Sequence, residues 1–431
     1  MSTLLLKGGT VLTQDDERRV LGNADVLVEG DRIVSVGKAK PSLKAKTTID
    51  AKGMLVLPGL VNAHTHAAMA LLRGYADDLA LKEWLETRIW PAEAKLAAAD
   101  VRAGTDLAML EMIAGGTTAF NDMYFFTNEI AQSARDANVR AVVGFPFLDF
   151  PTPEAKPDEM PSLARAFLAR WKGDPLVTPA VAPHATYTCA PPTLARVAEL
   201  AREHEAPLHV HCAETRTEVY DVERRHGARP VALLEKAGCL GPKTVLAHCG
   251  YVTKEEVRTI AASGAAVAHC PVSNLKLATG GVAPVPELLA EGASVALGTD
   301  GPASNNTLDM FETMKLAALL HKQHRWDPTV LPAQTAFDLA TRHGAKALGL
   351  QAGSIEPGKL ADLVVLDPSS PRMRPLHDPV SQVVYAARST DVRTVVIGGA
   401  VVMRDRKFAT LKPEGVIKAA EKAAARIVGA S

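Results

Sequence analysis

Cysteine is scarce in this chain of 431 residues, and no two cysteines form a close pair. An odd number of widely spaced cysteines suits neither a disulfide framework nor a cysteine-based zinc site. We therefore expect five buried free thiols at Cys189, Cys212, Cys239, Cys249 and Cys270.

Long apolar runs and an excess of one charge are also missing. No stretch reaches the roughly eighteen uninterrupted apolar residues of a membrane span, and the opening MSTLLLKGG is too short in its apolar part for a secretion signal. Lysine plus arginine and aspartate plus glutamate number 48 each, which gives no indication of a nucleic-acid-binding surface. These absences favour a cytoplasmic protein that acts on a small molecule.

Short strands are indicated at both ends of the chain. Apolar and polar positions alternate in LLLKGGTVLTQDD and ADVLVEGDRIVSVG, which predicts short antiparallel strands, and the same pattern returns in GKLADLVVLD and VRTVVIGGAVVMRD. Neither end can close a core alone. We therefore predict one small β-sandwich domain that combines residues 1–57 with residues 357–431.

Residues 58–356 follow a different pattern, in which short apolar runs alternate with helical segments. Eight such units match the size and count of a (β/α)8 barrel, whose active site lies at the carboxyl ends of the strands. The predicted fold class is therefore α/β, a (β/α)8 TIM barrel with a small β-sandwich domain built from both termini. The runs are LVNAHTH, TTAFNDM, RAVVGFPFL, VTPAVAPHA, PLHVHCAE, TVLAHCGY, AAVAHCPVSN and ASVALGTDG.

Titratable residues end most of these runs. Because side chains alternate along a strand, His64 and His66 point the same way and can share one cation. His211 and Asp300 would complete a histidine-rich site with room for a water, as in catalytic zinc sites. We predict one divalent metal ion there, zinc first, with iron or manganese as alternatives. The residues at the strand ends are His64, His66, His184, His211, Glu214, His248 and Asp300.

The other histidines are expected to serve the fold or to face solvent. His209 has the orientation of His211 one layer deeper, and His269 ends its run without an evident partner, so we expect hydrogen-bonded structural roles for both. The histidines outside the strands are expected to be exposed, namely His204, His226, His321, His324, His343 and His377.

Several motifs resemble those of the amidohydrolase superfamily, and within it the 5'-methylthioadenosine/S-adenosylhomocysteine deaminases. They are PGLVNAHTH, HVHCAETRTEV, VLAHCGYV, the segment from AHCPVSNLK to GTDGPASNN, and GKLADLVVLD, so the resemblance covers almost the whole chain. It implies hydrolytic deamination of an adenine nucleoside (5'-methylthioadenosine, adenosine or S-adenosylhomocysteine) to the inosine analogue and ammonia. The expected partners are this substrate, water and further copies of the chain in a homo-oligomer.

The resemblance also assigns roles to residues. It places the metal ligands on His64, His66, His211 and Asp300. It implies that Glu214 protonates N1 of adenine, that Asp300 takes a proton from the attacking water, and that His248 stabilises the adduct. Trp84 and Trp90 would line the pocket, although packing of a helix against the barrel would explain the two tryptophans equally well. The expected substrate-binding residues are Glu93 at the ribose, His184 beside the purine, Glu214, Asp300, Ser304 and Trp84.

Two departures from family patterns restrict the expected substrate and the expected number of metal ions. Members that handle S-adenosylhomocysteine resemble one another in having arginines after the third strand, whereas this sequence has none between Arg140 and Arg165. Uncharged 5'-substituents are therefore favoured over the homocysteine tail. The fourth run also lacks the lysine that is typical of members with two bridged metals, so a single ion is expected.

Two alternative functions stay open at this point. The same site could serve a deaminase or dechlorinase of guanine or an aminotriazine, since a hydroxide can displace a leaving group from any electron-poor nitrogen heterocycle. Glu93 distinguishes a nucleoside substrate from these free bases, because a ribose would give Glu93 a hydrogen-bond partner and a free base would not. A catalytically silent scaffold is the other alternative, and the complete set of ligands, acid and base argues against it.

Overall fold

The computed structural model describes residues 3–39 and 45–429, and the strands within these ranges form two sheets. The strands are β1 (Thr3–Leu12), β2 (Val20–Glu29), β3 (Arg32–Gly37), β4 (Thr47–Asp50), β5 (Leu55–Pro58), β6 (Leu60–Thr65), β7 (Thr117–Met123), β8 (Arg140–Phe147), β9 (Val177–Pro183), β10 (Leu208–Cys212), β11 (Thr244–His248), β12 (Ala266–His269), β13 (Ser294–Leu297), β14 (Leu363–Leu366), β15 (Val392–Ile397), β16 (Ala400–Arg404) and β17 (Lys407–Phe408).

Helices cover most of the chain between these strands. Short 3-10 helices occur at Ala67–Leu72, Pro371–Met373 and Ser389–Asp391, and a π-helical turn occurs at Leu85–Ile89. The α-helices are α1 (Leu81–Trp84), α2 (Trp90–Glu93), α3 (Ala98–Ala114), α4 (Thr127–Ala137), α5 (Met160–Trp171), α6 (Pro191–His204), α7 (Arg216–His226), α8 (Pro230–Lys236), α9 (Lys254–Ser263), α10 (Pro271–Lys276), α11 (Val285–Ala290), α12 (Met310–Arg325), α13 (Ala333–Ala340), α14 (Arg342–Ala347), α15 (Pro379–Tyr385) and α16 (Pro413–Val428).

The eight-stranded sheet is a parallel barrel in which β6 to β13 follow one another in chain order. Each predicted apolar run contains one of these strands, so the predicted (β/α)8 barrel is confirmed. The last strand returns to the first where the Asp300 amide donates to the His64 carbonyl at 3.0 Å. A Cβ at Gly298 would lie 2.8 Å from the Cβ of His64, so only glycine allows the two segments to approach this closely.

Small side chains fill the interior of the barrel, whereas large side chains face the surrounding helices. Because successive residues of a strand point to opposite faces, Ala119 of β7 lies inside and the adjacent Phe120 packs outward in the main core. The inward residues beneath the strand ends are Val61, Ala63, Ala119, Val142, Ala180, Val245, Ala266, Ala268 and Ala296. Small apolar residues thus line the barrel interior below the polar residues at the mouth.

The nine-stranded sheet joins both ends of the chain. Its order is β17-β16-β15-β14-β5-β1-β2-β3, with β4 beside β1. β14 pairs antiparallel with β5, but β1 pairs parallel with β4 and β5, so the sheet is mixed rather than wholly antiparallel as the alternating pattern suggested. The predicted combination of a barrel with a β domain from both termini is confirmed. The exact domain limits, 1–57 with 357–431 and 58–356, stay a prediction.

A buried ion pair connects this sheet to the barrel. Arg140 at the start of β8 lies with its Nε 2.7 Å from Oδ2 of Asp362, and the two side chains are 7% and 1% exposed. The Gly398 amide donates to the other oxygen of Asp362 at 2.7 Å. Because an unpaired buried charge is costly, this contact fixes how the sheet meets the barrel.

Two features follow from what the sequence lacks. None of the helices within residues 3–39 and 45–429 has the length and apolar character needed to cross a membrane. The five cysteines are free and buried, which confirms their prediction as buried thiols.

Candidate active site

The four predicted metal ligands meet at the carboxyl end of the barrel. Nε2 of His64 and Nε2 of His66 each lie 3.3 Å from Oδ1 of Asp300, and Nε2 of His211 lies 3.2 Å from Nε2 of His66. Ligand atoms about 2.0–2.1 Å from a tetrahedral ion are separated by about 3.3 Å. These residues could therefore hold one metal ion.

Backbone carbonyls fix the orientation of two of the rings. Nδ1 of His66 lies 2.6 Å from the Met123 oxygen, and Nδ1 of His211 lies 2.8 Å from the His184 oxygen. A carbonyl only accepts, so both Nδ1 atoms carry hydrogen, and in the neutral rings both Nε2 atoms present lone pairs. Nε2 of His64 is buried and faces Oδ1 of Asp300 without forming a hydrogen bond of good geometry. Lone pairs that face one another beside a carboxylate fit a bound cation.

The electrostatics of the cluster also favour positive charge at this point. Burial lowers the pKa of His64 to about 4. Burial opposes protonation of His66 as well, but the hydrogen bond and charge of Asp300 raise the pKa of His66 to about 9. Although burial disfavours its ionisation, contact with both histidines holds the pKa of Asp300 well below its ordinary value. A divalent ion would supply the charge that the carboxylate stabilises.

An irregularity in β6 places the histidine pair at the barrel mouth. The pairing of β6 with β7 shifts between Asn62 and Thr65, as at a β-bulge. Val61 and Ala63 line the barrel interior below this point, yet His64 and His66 also face the interior above it. Because of this shift, His64 and His66 can face the interior although the inward-facing residues before them, Val61 and Ala63, have odd numbers.

Hydroxyl groups fix the carboxylate of Asp300. Its Oδ2 accepts from Ser273 at 2.6 Å and from Ser304 at 2.8 Å, and its Oδ1 accepts from the Gly301 amide at 2.7 Å. Ser304 was predicted as a substrate contact. It lines the cavity described below, but its hydroxyl donates to Asp300. Sequence reasoning missed Ser273, although it lies on α10 shortly after the end of β12 and inside the quoted run AAVAHCPVSN.

Glu214 and His248 lie beside the cluster with their Oε2 and Nε2 atoms 3.9 Å apart. Nδ2 of Asn274, a residue that sequence reasoning missed, donates to Nδ1 of His248 at 3.1 Å, so Nε2 of His248 carries the hydrogen. Although His248 groups with His64 and His211 as a possible metal set, it thereby suits donation to a ligand better than coordination. Burial raises the pKa of Glu214, which favours its proton-bearing form.

A second buried carboxyl, Glu218, holds the segment of Glu214. Oε2 of Glu218 accepts from the Glu214 amide at 2.7 Å, and Oε1 accepts at 3.2 Å from both the Ala213 amide and the Thr186 hydroxyl. Burial, with the adjacent Glu214 carboxyl, raises the pKa of Glu218 to about 7. Sequence reasoning passed over Glu218, although it lies inside the quoted motif HVHCAETRTEV.

A cavity of about 370 Å³ opens above the cluster. It reaches His66, His211, Glu214, His248 and Asp300 at its base, and its outer walls are apolar. No lysine or arginine of the described chain lines it. All predicted substrate residues line it, including both tryptophans, and the walls around them include Leu85, Phe125, Leu148 and Phe150.

Glu93 and His184 occupy fixed positions in this cavity. Oε1 of Glu93 accepts from the Tyr124 hydroxyl at 2.7 Å, and burial raises the pKa of Glu93 to about 7. Nδ1 of His184 lies 2.8 Å from the hydroxyl of Thr188, and burial lowers the pKa of His184 to about 3, so its ring is neutral. Tyr124 was missed, although it directly follows the run TTAFNDM.

The remaining histidines follow the expectations in part. His209 and His269 are buried and hydrogen-bonded, as predicted. The prediction that His321 is exposed is wrong, because it lies on the inner face of α12 with its Nε2 3.3 Å from Nε2 of His269. His324 and His377 are exposed, whereas His204, His226 and His343 are partly buried.

Comparison with known proteins matches the chain over nearly its whole length. Residues 55–402 match the model of the Amidohydrolase family. A 5-methylthioadenosine/S-adenosylhomocysteine deaminase from Syntrophobacter fumaroxidans is 48% identical over 96% of both chains, and a 5'-deoxyadenosine deaminase from Methanosarcina mazei is 42% identical over 99% of both. The crystal structure of an adenosine deaminase from Xanthomonas campestris with bound zinc has a TM-score of 0.96 at 39% identity, covering 99% of this chain and 98% of that one.

Proposed function

The chain belongs to the amidohydrolase family, in the group of 5-methylthioadenosine/S-adenosylhomocysteine deaminases, and we propose that it hydrolyses the exocyclic C–N bond of an adenine nucleoside. The products would be the inosine analogue and ammonia. The observation that supports this best is that a single cavity contains both groups of residues. Nε2 of His66 and Nε2 of His211 lie with Oδ1 of Asp300 at its base, and Glu93 lies in its wall. The residues at the base of the cavity can hold a metal ion and water, and Glu93 in the wall can accept hydrogen bonds from a ribose.

We propose that His64, His66, His211 and Asp300 hold one divalent ion, zinc first and iron or manganese as alternatives. The bound zinc in the Xanthomonas campestris structure supports this order. Such an ion lowers the pKa of a bound water toward neutrality and so supplies the nucleophile. A single ion is proposed because His184, not a lysine, follows β9.

Protein side chains would move the protons of the reaction. Asp300 accepts a proton from the water that adds to C6 of the purine, while Glu214 protonates N1. The Nε2–H group of His248 donates a hydrogen bond to the oxygen that becomes bonded to C6 and keeps its proton throughout. Collapse of the adduct then returns the hydroxyl proton to Glu214, and the amine leaves as ammonia with the proton held by Asp300.

The outer walls of the cavity support an uncharged 5'-substituent. They are apolar at Leu85, Trp90 and Phe150, and no cationic side chain of the described residues lines the cavity. A homocysteine tail would bring a carboxylate and an ammonium into this space, and burial of unpaired charge is costly. Methylthio, hydrogen or hydroxyl at the 5'-position fits this chemistry better.

Ammonia release from a substrate panel tests both parts of the proposal. The panel contains adenosine, 5'-methylthioadenosine, 5'-deoxyadenosine, S-adenosylhomocysteine, guanine and an aminotriazine. We expect the highest kcat/KM for the uncharged nucleosides. A preference for guanine or the triazine would overturn the nucleoside assignment, and a preference for S-adenosylhomocysteine would overturn only the argument from the apolar walls.

The role of Glu93 at the ribose can be tested separately. Glu93→Gln should lower kcat/KM for adenosine by about 10- to 100-fold, since a hydrogen bond to a charged group contributes about 1.5–3 kcal/mol. Glu86→Gln, at an exposed position in the same segment, is the matched control. Equal activity of the two variants would show that Glu93 does not contact the ribose.

A further inference from the structure

His209 contacts the proposed metal ligand His64 at the ring nitrogen that does not face Asp300. It lies on β10 two residues before His211 and is 1% exposed. Its Nε2 is 2.8 Å from Nδ1 of His64, and the two rings meet edge to face. This contact is on the side of the His64 ring that faces away from Asp300.

The contact fixes where each ring carries its hydrogen. If Nε2 of His64 binds an ion through its lone pair, Nδ1 of His64 carries the hydrogen and Nε2 of His209 accepts it. Nδ1 of His209 is then the second donor in the chain. It is buried, and it has no hydrogen-bond partner within the part of the chain that the structure describes.

His209 also lines a separate cavity of about 210 Å³ at the amino-terminal end of the barrel. Asn121 also lines this lower cavity. Because Nδ2 of Asn121 donates to the Ala63 oxygen at 3.0 Å, its Oδ1 is left as an acceptor, also buried and without a partner among the described residues. A buried donor and a buried acceptor on two residues that line the same cavity suit bound water.

We propose that His209 is a positioning residue of the metal site, which holds His64 in the metal-binding tautomer and is itself supported by water in the lower cavity. The inference rests on the proposed function, because it assumes that His64 is a ligand. His66 and His211 are oriented by backbone carbonyls, which no substitution removes. His64 is the proposed imidazole ligand whose orientation depends on another side chain, so its support can be tested by mutation.

Metal affinity of the purified full-length protein provides the test. The dissociation constant for zinc is measured by competition with a chromophoric chelator for wild type, His209→Leu and His209→Gln. We expect about 10- to 100-fold weaker binding in His209→Leu, the usual effect of removing a group that orients a ligand. His209→Gln, whose amide oxygen can still accept from Nδ1 of His64, should recover most of the affinity.

His321→Leu is the matched control, since it also replaces a buried histidine that contacts a second histidine ring, here His269. It should lower the melting temperature but leave the zinc dissociation constant unchanged. Wild-type affinity in His209→Leu, or an equal loss of affinity in His321→Leu, would overturn the inference. A wild-type protein that binds no stoichiometric metal would overturn the proposed function and the inference with it.

A measurement on the wild-type zinc protein avoids the risk that His209→Leu does not fold. Nitrogen-15 NMR of the histidine rings should show a scalar coupling across the hydrogen bond between Nδ1 of His64 and Nε2 of His209. Assignment of the His64 hydrogen to Nε2 in the zinc protein would contradict the proposal.

Discussion

Nε2 of His66 and Nε2 of His211 lie 3.2 Å apart, and each ring already donates its Nδ1 hydrogen to a backbone carbonyl. While both rings are neutral, neither can donate to the other, so the contact is repulsive unless a cation lies between them, either a metal ion or a proton on His66. A metal ion would take the place of that proton and bind both lone pairs, so we expect activity and stability to depend on metal.

Removal of metal should abolish ammonia release and lower stability. An ion present at one hundred times its dissociation constant stabilises the folded state by about 2.7 kcal/mol. Chelation, followed by calorimetry and an activity assay, should show both losses, and zinc should reverse them. Magnesium is the control, since it prefers oxygen ligands and should restore neither. Unchanged melting and activity after complete chelation would contradict this prediction.

Glu214→Gln should retain metal but lose turnover. The amide cannot deliver a proton to the purine, and general acid catalysis contributes about 10²- to 10⁴-fold to a rate. Metal content by elemental analysis should equal that of wild type, while kcat falls by this factor. Glu223→Gln, at an exposed position on α7, should keep full activity. Substantial residual deamination by Glu214→Gln would exclude Glu214 as the acid.

Asp362→Asn should destabilise the whole protein without touching the active site. The change leaves the Arg140 guanidinium buried and unpaired, which costs about 3–5 kcal/mol. Chemical denaturation followed by circular dichroism measures the loss. Asp31→Asn, in a half-exposed pair with Arg32, should change stability by less than about 1 kcal/mol. Similar losses in the two variants would show that burial of the Arg140–Asp362 pair has no special effect.

Stability should fall as pH rises through the range in which Glu218 titrates. Its pKa is raised from 4.5 in a free side chain to about 7 by burial and the nearby Glu214 carboxyl. The folded protein therefore retains a proton that the unfolded chain has already released. The stabilising contribution of this proton is complete below about pH 4.5 and is lost as pH approaches 7.

Glu218→Gln cannot ionise, so its stability should depend less on pH. Between pH 5 and pH 8 we expect the free energy of unfolding to drop by about 1–3 kcal/mol less in the variant than in wild type. Urea denaturation at a series of pH values checks this difference in slope. The slope, unlike the absolute stability, is unaffected by the loss of a hydrogen bond to the Glu214 amide. Parallel pH profiles would rule out an elevated pKa of Glu218.

The strands and their terminal residues could be predicted from sequence because both are local properties. A short apolar run sets a buried parallel strand, and a barrel brings the carboxyl ends of its strands together. His64, His211 and Asp300 follow from this rule. The register shift in β6 could not be predicted in this way, because a bulge depends on pairing with β7.

Residues that reach the site from helices were beyond the sequence pattern. Ser273 and Asn274 lie on α10, and their contacts with Asp300 and His248 depend on the path of the chain after β12. His321 was wrongly placed in solvent because the apolar stripe of α12 is weakly marked, and the buried side of that helix is set by its neighbours. Tertiary packing decides such positions.

The nine-stranded sheet has a consequence for the order in which the protein folds during synthesis. β5 is separated only by Gly59 from β6, the strand that leads to His64 and His66, yet its neighbour β14 begins about three hundred residues later at Leu363. The ribosome has thus made all eight barrel strands before the sheet beside the first of them can close. Long-range pairing of this kind slows folding and leaves strand edges open meanwhile. Nascent chains that stop before β14 are expected to expose the edge of β5 to aggregation or to chaperones.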